Sequence, residues 1–184
     1  DGETLKIGKF EVEFIPVTHS VPYAFAASYT CKAGTVVHTG DFKIDHSPID
    51  GRRTDLARFG EIGNTKNVVL LMSDSTGAEK PGTTGSESSV KTSIERIFLE
   101  QKDKRIIVST FASHIHRIIQ IVESAISNGR KIAFLGRSLH TNLEVAKKLK
   151  LYEIAKKHLI DIEEIDNFTA DKVCVIATGS QGEP

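Results

Sequence analysis

From residue 105 onward the chain alternates short β-branched runs with amphipathic stretches, and that alternation admits few folds. Residues 105–110, 131–135 and 173–177 are rich in Ile and Val and lack a helical period, so they are expected as strands. Between the first two, Ser113 is the expected N-cap of a helix with Ile115, Ile118, Ile119, Val122 and Ile126 on its inner stripe, closed by Gly129. A further helix follows Gly136-Arg137-Ser138 and carries Leu143, Ala146 and Leu149. Strand, helix, strand, helix, strand with short connections predicts a parallel sheet in a three-layer α/β unit with right-handed crossovers. An earlier helix, capped by Ser86 and striped by Val90, Ile94, Ile97 and Phe98, leads into it.

The first part reads differently. Leu5 to Ile7 and Phe10 to Phe14 alternate with period two about Gly8-Lys9, which predicts a half-buried β-hairpin. Pro16 marks a sheet edge or a strand end. Ser28 to Cys31 meets Thr35 to His38 across Lys32-Ala33-Gly34 in a second hairpin. Gly40 lets the chain turn sharply and delivers Asp41 at a strand end, where α/β folds keep their chemistry. Upstream, His19 ends another strand, and a His with a carboxylate on neighbouring strand ends suits Zn²⁺, Mn²⁺ or Mg²⁺. An isolated Gly-Asp is more often a turn. Residues 42–66 lose periodicity, with a short helix expected around 56–59, and the apolar run at 68–72 predicts a strand covered on both faces. That run ends in Ser73-Asp74-Ser75-Thr76, and the boundary between the two parts is expected near residue 77.

With 184 residues, 39% apolar, 26% charged and a net charge of zero, the chain has the composition of an ordinary soluble globular protein. Nothing in it forces a membrane or nucleic-acid partner, although neutrality leaves room for a basic face. Cys31 and Cys174 form no CxxC pair, so a zinc ribbon and a dithiol redox motif are excluded, and two reduced thiols in a cytoplasmic protein are expected. No apolar run nears about 20 residues, so no membrane span is expected. The ends, Asp1-Gly2-Glu3 and a loop-like run at 179–184, are those expected of an internal piece of a longer protein.

In the second part each expected strand ends in small hydroxyl or glycine residues: Ser109-Thr110, Gly136-Arg137-Ser138 and Thr178-Gly179-Ser180. Crossovers of one hand bring such ends to one sheet edge beside helix N-termini, which attract phosphate. Arg137 adds a bidentate donor, and His116 with Arg117 adds positive potential. Capping and tight turns would use the same residues, so the two readings stand side by side. His114 and His116, two apart on a helix, point away from each other and are not a metal pair.

Six ordered strings carry a closer likeness. They are Thr18-His19-Ser20-Val21-Pro22, His38-Thr39-Gly40-Asp41-Phe42-Lys43, Ser73-Asp74-Ser75-Thr76, the run from Thr110 to Arg117, Gly136-Arg137-Ser138 and the run from Thr178 to Pro184. Together they resemble the ribonuclease J branch of the β-CASP group of the metallo-β-lactamase superfamily. The resemblance implies an α/β protein: part of a metallo-β-lactamase αββα sandwich over 1–76, then a parallel-sheet β-CASP domain over 77–184, incomplete at its C-terminal end. It implies a ribonuclease, both endonuclease and 5′–3′ exonuclease, acting in RNA maturation and decay, rRNA processing included, with two divalent ions, Zn²⁺ or Mn²⁺ or else Mg²⁺.

On that likeness His19 and Asp41 are metal ligands, Asp41 bridges the two ions, and Asp74 helps orient a catalytic His. Ser113, His114, His116, Arg117, Arg137, Ser138, Ser180, Gln181 and Gly182 are the implied RNA- or phosphate-binding residues. The implied partners are single-stranded RNA and further copies of the full-length protein, in the cytoplasm and with no membrane. The family's His-x-His-x-Asp-His cluster and its later His motifs lie outside these residues, so this stretch alone is expected to be inactive. A non-catalytic RNA-binding relative and another hydrolase of the same fold are the alternative readings.

Overall fold

Two hairpins found the first sheet. Thr4–Ile7 (β1) pairs antiparallel with Phe10–Pro16 (β2), and Phe25–Cys31 (β3) with Gly34–His38 (β4), while β2 and β3 join the hairpins. Val68–Met72 (β5) then runs parallel to β4, completing the order β1-β2-β3-β4-β5. A parallel neighbour needs a crossover, and Leu56–Thr65 (α1) supplies it. The computed structural model describes residues 2–178, and their contacts divide into two compact units between Ser86 and Glu87.

In the first unit α1 covers one sheet face, packing Ile62 against Ile15, Val17, Ala26 and Val37. The same face buries Glu13 at 4% exposure. Arg58 of α1 answers it, with Nε and Nη2 donating to the two carboxylate oxygens at 2.5 and 2.9 Å. That fork holds the Glu13 carboxyl below the usual range and pushes the Arg58 guanidinium above its own. Three sequence expectations change here. The helix runs for ten residues rather than four, because Asp55 accepts the Arg58 N–H as N-cap and Leu56, Phe59 and Ile62 share one side despite Gly60 and Gly63. β1 is exposed along its length. β5 is not covered on both faces: it is an edge strand whose Val69, Leu70, Leu71 and Met72 are 48–59% exposed.

The second unit has the expected parallel sheet, in the order β6-β8-β7 from Ile106–Ser109 (β6), Lys131–Leu135 (β7) and Val173–Ala177 (β8). Glu87–Glu100 (α2), Ile115–Ser127 (α3) and Arg137–Lys148 (α4) lie on one face around Ile106, Ile132, Phe134, Cys174 and Ile176. The other face, Ala133, Val173 and Val175, is covered by Ile160, Ile162, Ile165 and Phe168. The third layer is therefore built from 3₁₀ turns at Lys156–His158, Ile162–Asn167 and Ala170–Lys172, not from a helix after a short loop. Ile121 and Leu139 are fully buried, whereas Ile97 of α2 is exposed and Leu149 lies past the end of α4 as its C-cap. Cys174 is buried and its thiol is pushed up to about 12, while Cys31 is half-buried; both are free.

Arg130, 2% exposed, sits where these layers meet. Its guanidinium donates to the carbonyls of Gln101 and Lys102 just past α2, of Lys104 before β6, and of Ala170 and Val173 at the start of β8, at 2.7 to 3.5 Å. The carbonyls just past α2 lie at the negative end of its dipole, so the cation is stabilised without a carboxylate. Arg130→Met is expected to destabilise the second unit by about 3 kcal/mol or more, read by urea unfolding, because it strands several buried carbonyls at once. Glu13, with its lowered folded-state pKa, adds stability that is whole above the unfolded value of about 4.3 and is lost as pH falls through the folded value. The stability difference between wild type and Glu13→Gln should therefore narrow as unfolding is followed to more acidic pH.

Candidate functional site

In the first unit, β2, β4 and β5 run in one direction, so their C-terminal ends share an edge. His19 follows β2, Asp41 follows β4 and Asp74 follows β5, which brings three sequence-predicted residues to that edge. His19 Nε2 lies 3.8 Å from Asp41 Oδ2, and the Asp41 side chain is 78% exposed. Gly40 shapes the approach: it has φ +60°, and a Cβ there would meet the Phe25 carbonyl oxygen at 2.9 Å.

Asp74 is turned toward backbone. Its carboxylate accepts from the Thr76 N–H at 2.9 Å and the Phe42 N–H at 3.4 Å. The Thr76 hydrogen bonds chiefly, with the Phe42 N–H and the neighbouring His19 imidazole, hold the Asp74 carboxyl low. Asp74 thus fixes the loop that carries Asp41. Sequence reasoning missed its counterpart, Thr39, whose hydroxyl accepts the Asp74 N–H at 3.0 Å and donates to the Gly40 carbonyl at 2.8 Å. It also missed Thr54, which takes the Thr18 N–H at 2.9 Å and donates to the Lys43 carbonyl at 2.8 Å, tying the His19 and Asp41 loops together. Thr39 had a local signal, a hydroxyl two residues before Asp41 that can bond nearby backbone; Thr54 had none, because its partners are distant in sequence.

An imidazole nitrogen and a carboxylate oxygen 3.8 Å apart can touch one Zn²⁺ or Mn²⁺ ion, whose bonds to such donors are about 2.0–2.2 Å. The donor chemistry fits. No group of three or more His, Cys, Asp or Glu able to hold a metal occurs among the described residues, and two donors alone make an incomplete metal shell.

In the second unit the strand ends do converge. Thr110 N–H donates to the Ala177 carbonyl at 3.0 Å, and Thr178 N–H to that of Leu135 at 3.1 Å. Arg137 and Ser138 are exposed at the start of α4, and Ser113 is exposed ahead of α3. Ser113 is not the cap of α3. His114 is, accepting the Arg117 N–H on Nδ1 at 3.3 Å, since an imidazole reaches the amide three residues on as a hydroxyl would. Burial above all pushes the His114 pKa down. Arg117 lies on Glu87, with Nη2 and Nε at 2.7 and 3.0 Å from Oε2. His116 is the second residue of α3 and is half-buried. Ser180, Gln181 and Gly182 lie outside the described residues.

Residues 103–184 match the family described as "Ribonuclease J, beta-CASP domain". That match covers most of the parallel α/β unit. Over its whole length the chain is similar to curated ribonuclease J proteins. It is 42% identical over 179 residues to ribonuclease J of Helicobacter pylori strain B128, covering 97% of this chain and 26% of that one. To ribonuclease J of Mycobacterium tuberculosis strain H37Rv it is 43% identical over 184 residues, covering 100% and 33%, and to that of Synechocystis sp. 41% over 183 residues, covering 99% and 28%. The chain thus spans about a quarter to a third of the length of these curated relatives. A crystal structure of a protein of unknown function from Enterococcus faecalis V583 superposes with a TM-score of 0.64 at 17% identity, covering 97% of this chain and 43% of that one, and so shares the fold. Among the described residues no helix is long and apolar enough to cross a membrane.

Gly136 is the tightest point of the strand-end edge. It has φ +124°, and a Cβ would fall 2.1 Å from Thr178 Oγ1. Gly136→Ala is expected to lower stability by about 2 kcal/mol or more, from the clash and the disfavoured backbone together. Adding Thr178→Ser should not recover it, because the hydroxyl remains in the way; thermal unfolding of both variants checks this.

Proposed function

We propose that this chain is a segment of a metal-dependent ribonuclease that hydrolyses RNA phosphodiester bonds, as an endonuclease and a 5′–3′ exonuclease, in RNA maturation and decay, including rRNA processing. The single observation that carries the reading is the pairing of His19 and Asp41 at one sheet edge, 3.8 Å apart, in a chain of this family. Residues 1–76 are assigned to a metallo-β-lactamase domain and 77–184 to a β-CASP domain. The first assignment is supported by the face of the first sheet opposite α1, where pairing aligns Val12, Tyr29, Val36 and Leu70, and beside them Phe14, Ala27 and Met72. Phe10, Phe25, Tyr29, Leu70 and Met72 on that side are 40–54% exposed. An apolar sheet face of this extent calls for a second packed layer, as a sandwich provides.

His19 and Asp41 would hold two divalent ions, Zn²⁺ or Mn²⁺ or else Mg²⁺, together with ligands from elsewhere in the full-length protein. Bound metal supplies a water of lowered pKa and polarises the phosphodiester. Asp74 keeps the Asp41 loop in place through the Phe42 N–H, and Thr39 braces it from the other side. In the second unit Arg137 and Ser138 receive the RNA backbone, with Ser113 and His116 on the same edge, while His114 and Arg117 shape that edge from behind its turn. Ser180, Gln181 and Gly182 extend the set. The substrate is single-stranded RNA, the full-length protein is a cytoplasmic homo-oligomer, and residues 1–184 alone are inactive because two ligands hold metal weakly.

Asp41→Ala in the full-length protein tests this reading. Its side chain is so exposed that stability should change by no more than about 0.5 kcal/mol. Cleavage of a 5′-monophosphorylated RNA should nonetheless fall by at least about a thousandfold, and calorimetry should show weakened Mn²⁺ binding. Normal turnover and metal affinity in that variant would defeat the assignment, and wild-type RNA binding without any cleavage would favour a non-catalytic relative.

A further inference from the structure

Glu87, the first residue of α2, closes a ring of side chains behind the turn between β6 and α3. Arg117 Nε and Nη2 donate to its Oε2 at 3.0 and 2.7 Å, and His114 Nε2 lies 3.4 Å from its Oε1. The Glu87 backbone takes part as well, its carbonyl accepting from the buried Gln120 amide at 3.3 Å. His114 completes the ring by accepting the Arg117 N–H on Nδ1. A ring nitrogen that accepts bears no proton, so the neutral imidazole carries its proton on Nε2, the atom facing Glu87.

The arrangement bears on Arg117, which by sequence looks like a phosphate ligand. Glu87 and His114 side chains are only 18% and 11% exposed. Moving the guanidinium to a phosphate would break both of its hydrogen bonds to that mostly buried carboxylate, which is unfavourable in a partly buried setting. Residues 110–113, by contrast, run from the Ala177-bonded Thr110 to the exposed Ser113 and form the front of the edge.

We propose that Glu87 is a positioning residue of the RNA-binding edge: through Arg117 and His114 it fixes the turn at 110–113, and Arg117 carries no phosphate itself. This rests on the ribonuclease reading of that edge.

The test is the affinity of the full-length protein for a short 5′-monophosphorylated single-stranded oligoribonucleotide at a series of KCl concentrations. An arginine that binds a phosphate contributes about 0.7 to the slope of log affinity against log salt. Arg117→Met is expected to weaken binding with an unchanged slope. Glu87→Gln is expected to weaken it about tenfold, although it removes a negative charge beside an anion site, and Glu87→Asp should keep most of the affinity. A slope reduced by about 0.7 in Arg117→Met, tighter binding by Glu87→Gln, or unchanged affinity in both overturns the proposal. Nitrogen chemical shifts of His114 in the wild-type protein give a second reading that needs no variant: a proton on Nε2 is expected, and a proton on Nδ1 overturns the ring. Absence of salt-dependent RNA binding by the wild type would instead remove the ribonuclease reading beneath it.

Discussion

Parallel strand pairing is the constraint on which both units depend. Two parallel neighbours cannot be joined by a tight turn, so each pair demands a crossover, and each crossover returns the chain to the same end of the sheet. In the first unit α1 makes that return between β4 and β5, which is why Asp41 and Asp74 leave the sheet side by side. In the second, β8 enters between β6 and β7, so Thr110, Gly136 and Thr178 share one edge. Chemistry-bearing residues far apart in sequence are neighbours because of this geometry and not because of any local motif.

Two arginines hold the framework, the half-buried Arg58 and the buried Arg130, and they are satisfied differently. Arg58 meets a carboxylate, Glu13, and the pair is sensitive to acid because one partner titrates. Arg130 meets only backbone carbonyls, which do not titrate, and so binds the end of α2 to the start of β8 at any ordinary pH. A cation with planar, divergent donors is suited to collecting carbonyls from several segments, and lysine would not reproduce it.

The candidate metal edge follows the same economy of position. His19 and Asp41 are left open, while Asp74, Thr39 and Thr54 turn their polar atoms onto the backbone that carries them. A site that must hold donors within a few tenths of an ångström needs such bracing, since loops by themselves are mobile. The Glu87 ring does for the β6–α3 turn what Thr39 and Asp74 do for the Asp41 loop.

Period and residue type were enough to read both hairpins, the three parallel strands and the helices between them, because β-branched runs and amphipathic stripes are local properties of the chain. His19, Asp41 and Asp74 were legible as strand-end residues for the same reason, and the six ordered strings carried the family. What the sequence could not decide was anything that depends on a partner distant in the chain. An apolar run at 68–72 looks identical whether it ends up central or at an edge, and only the sheet order makes β5 an edge strand. Nothing local in the sequence announces that Arg117 meets Glu87, thirty positions earlier. Arg130 looks like a surface charge until five carbonyls from three segments enclose it, because hydrogen-bond satisfaction in a packed interior belongs to the tertiary structure and leaves no periodic trace in the sequence.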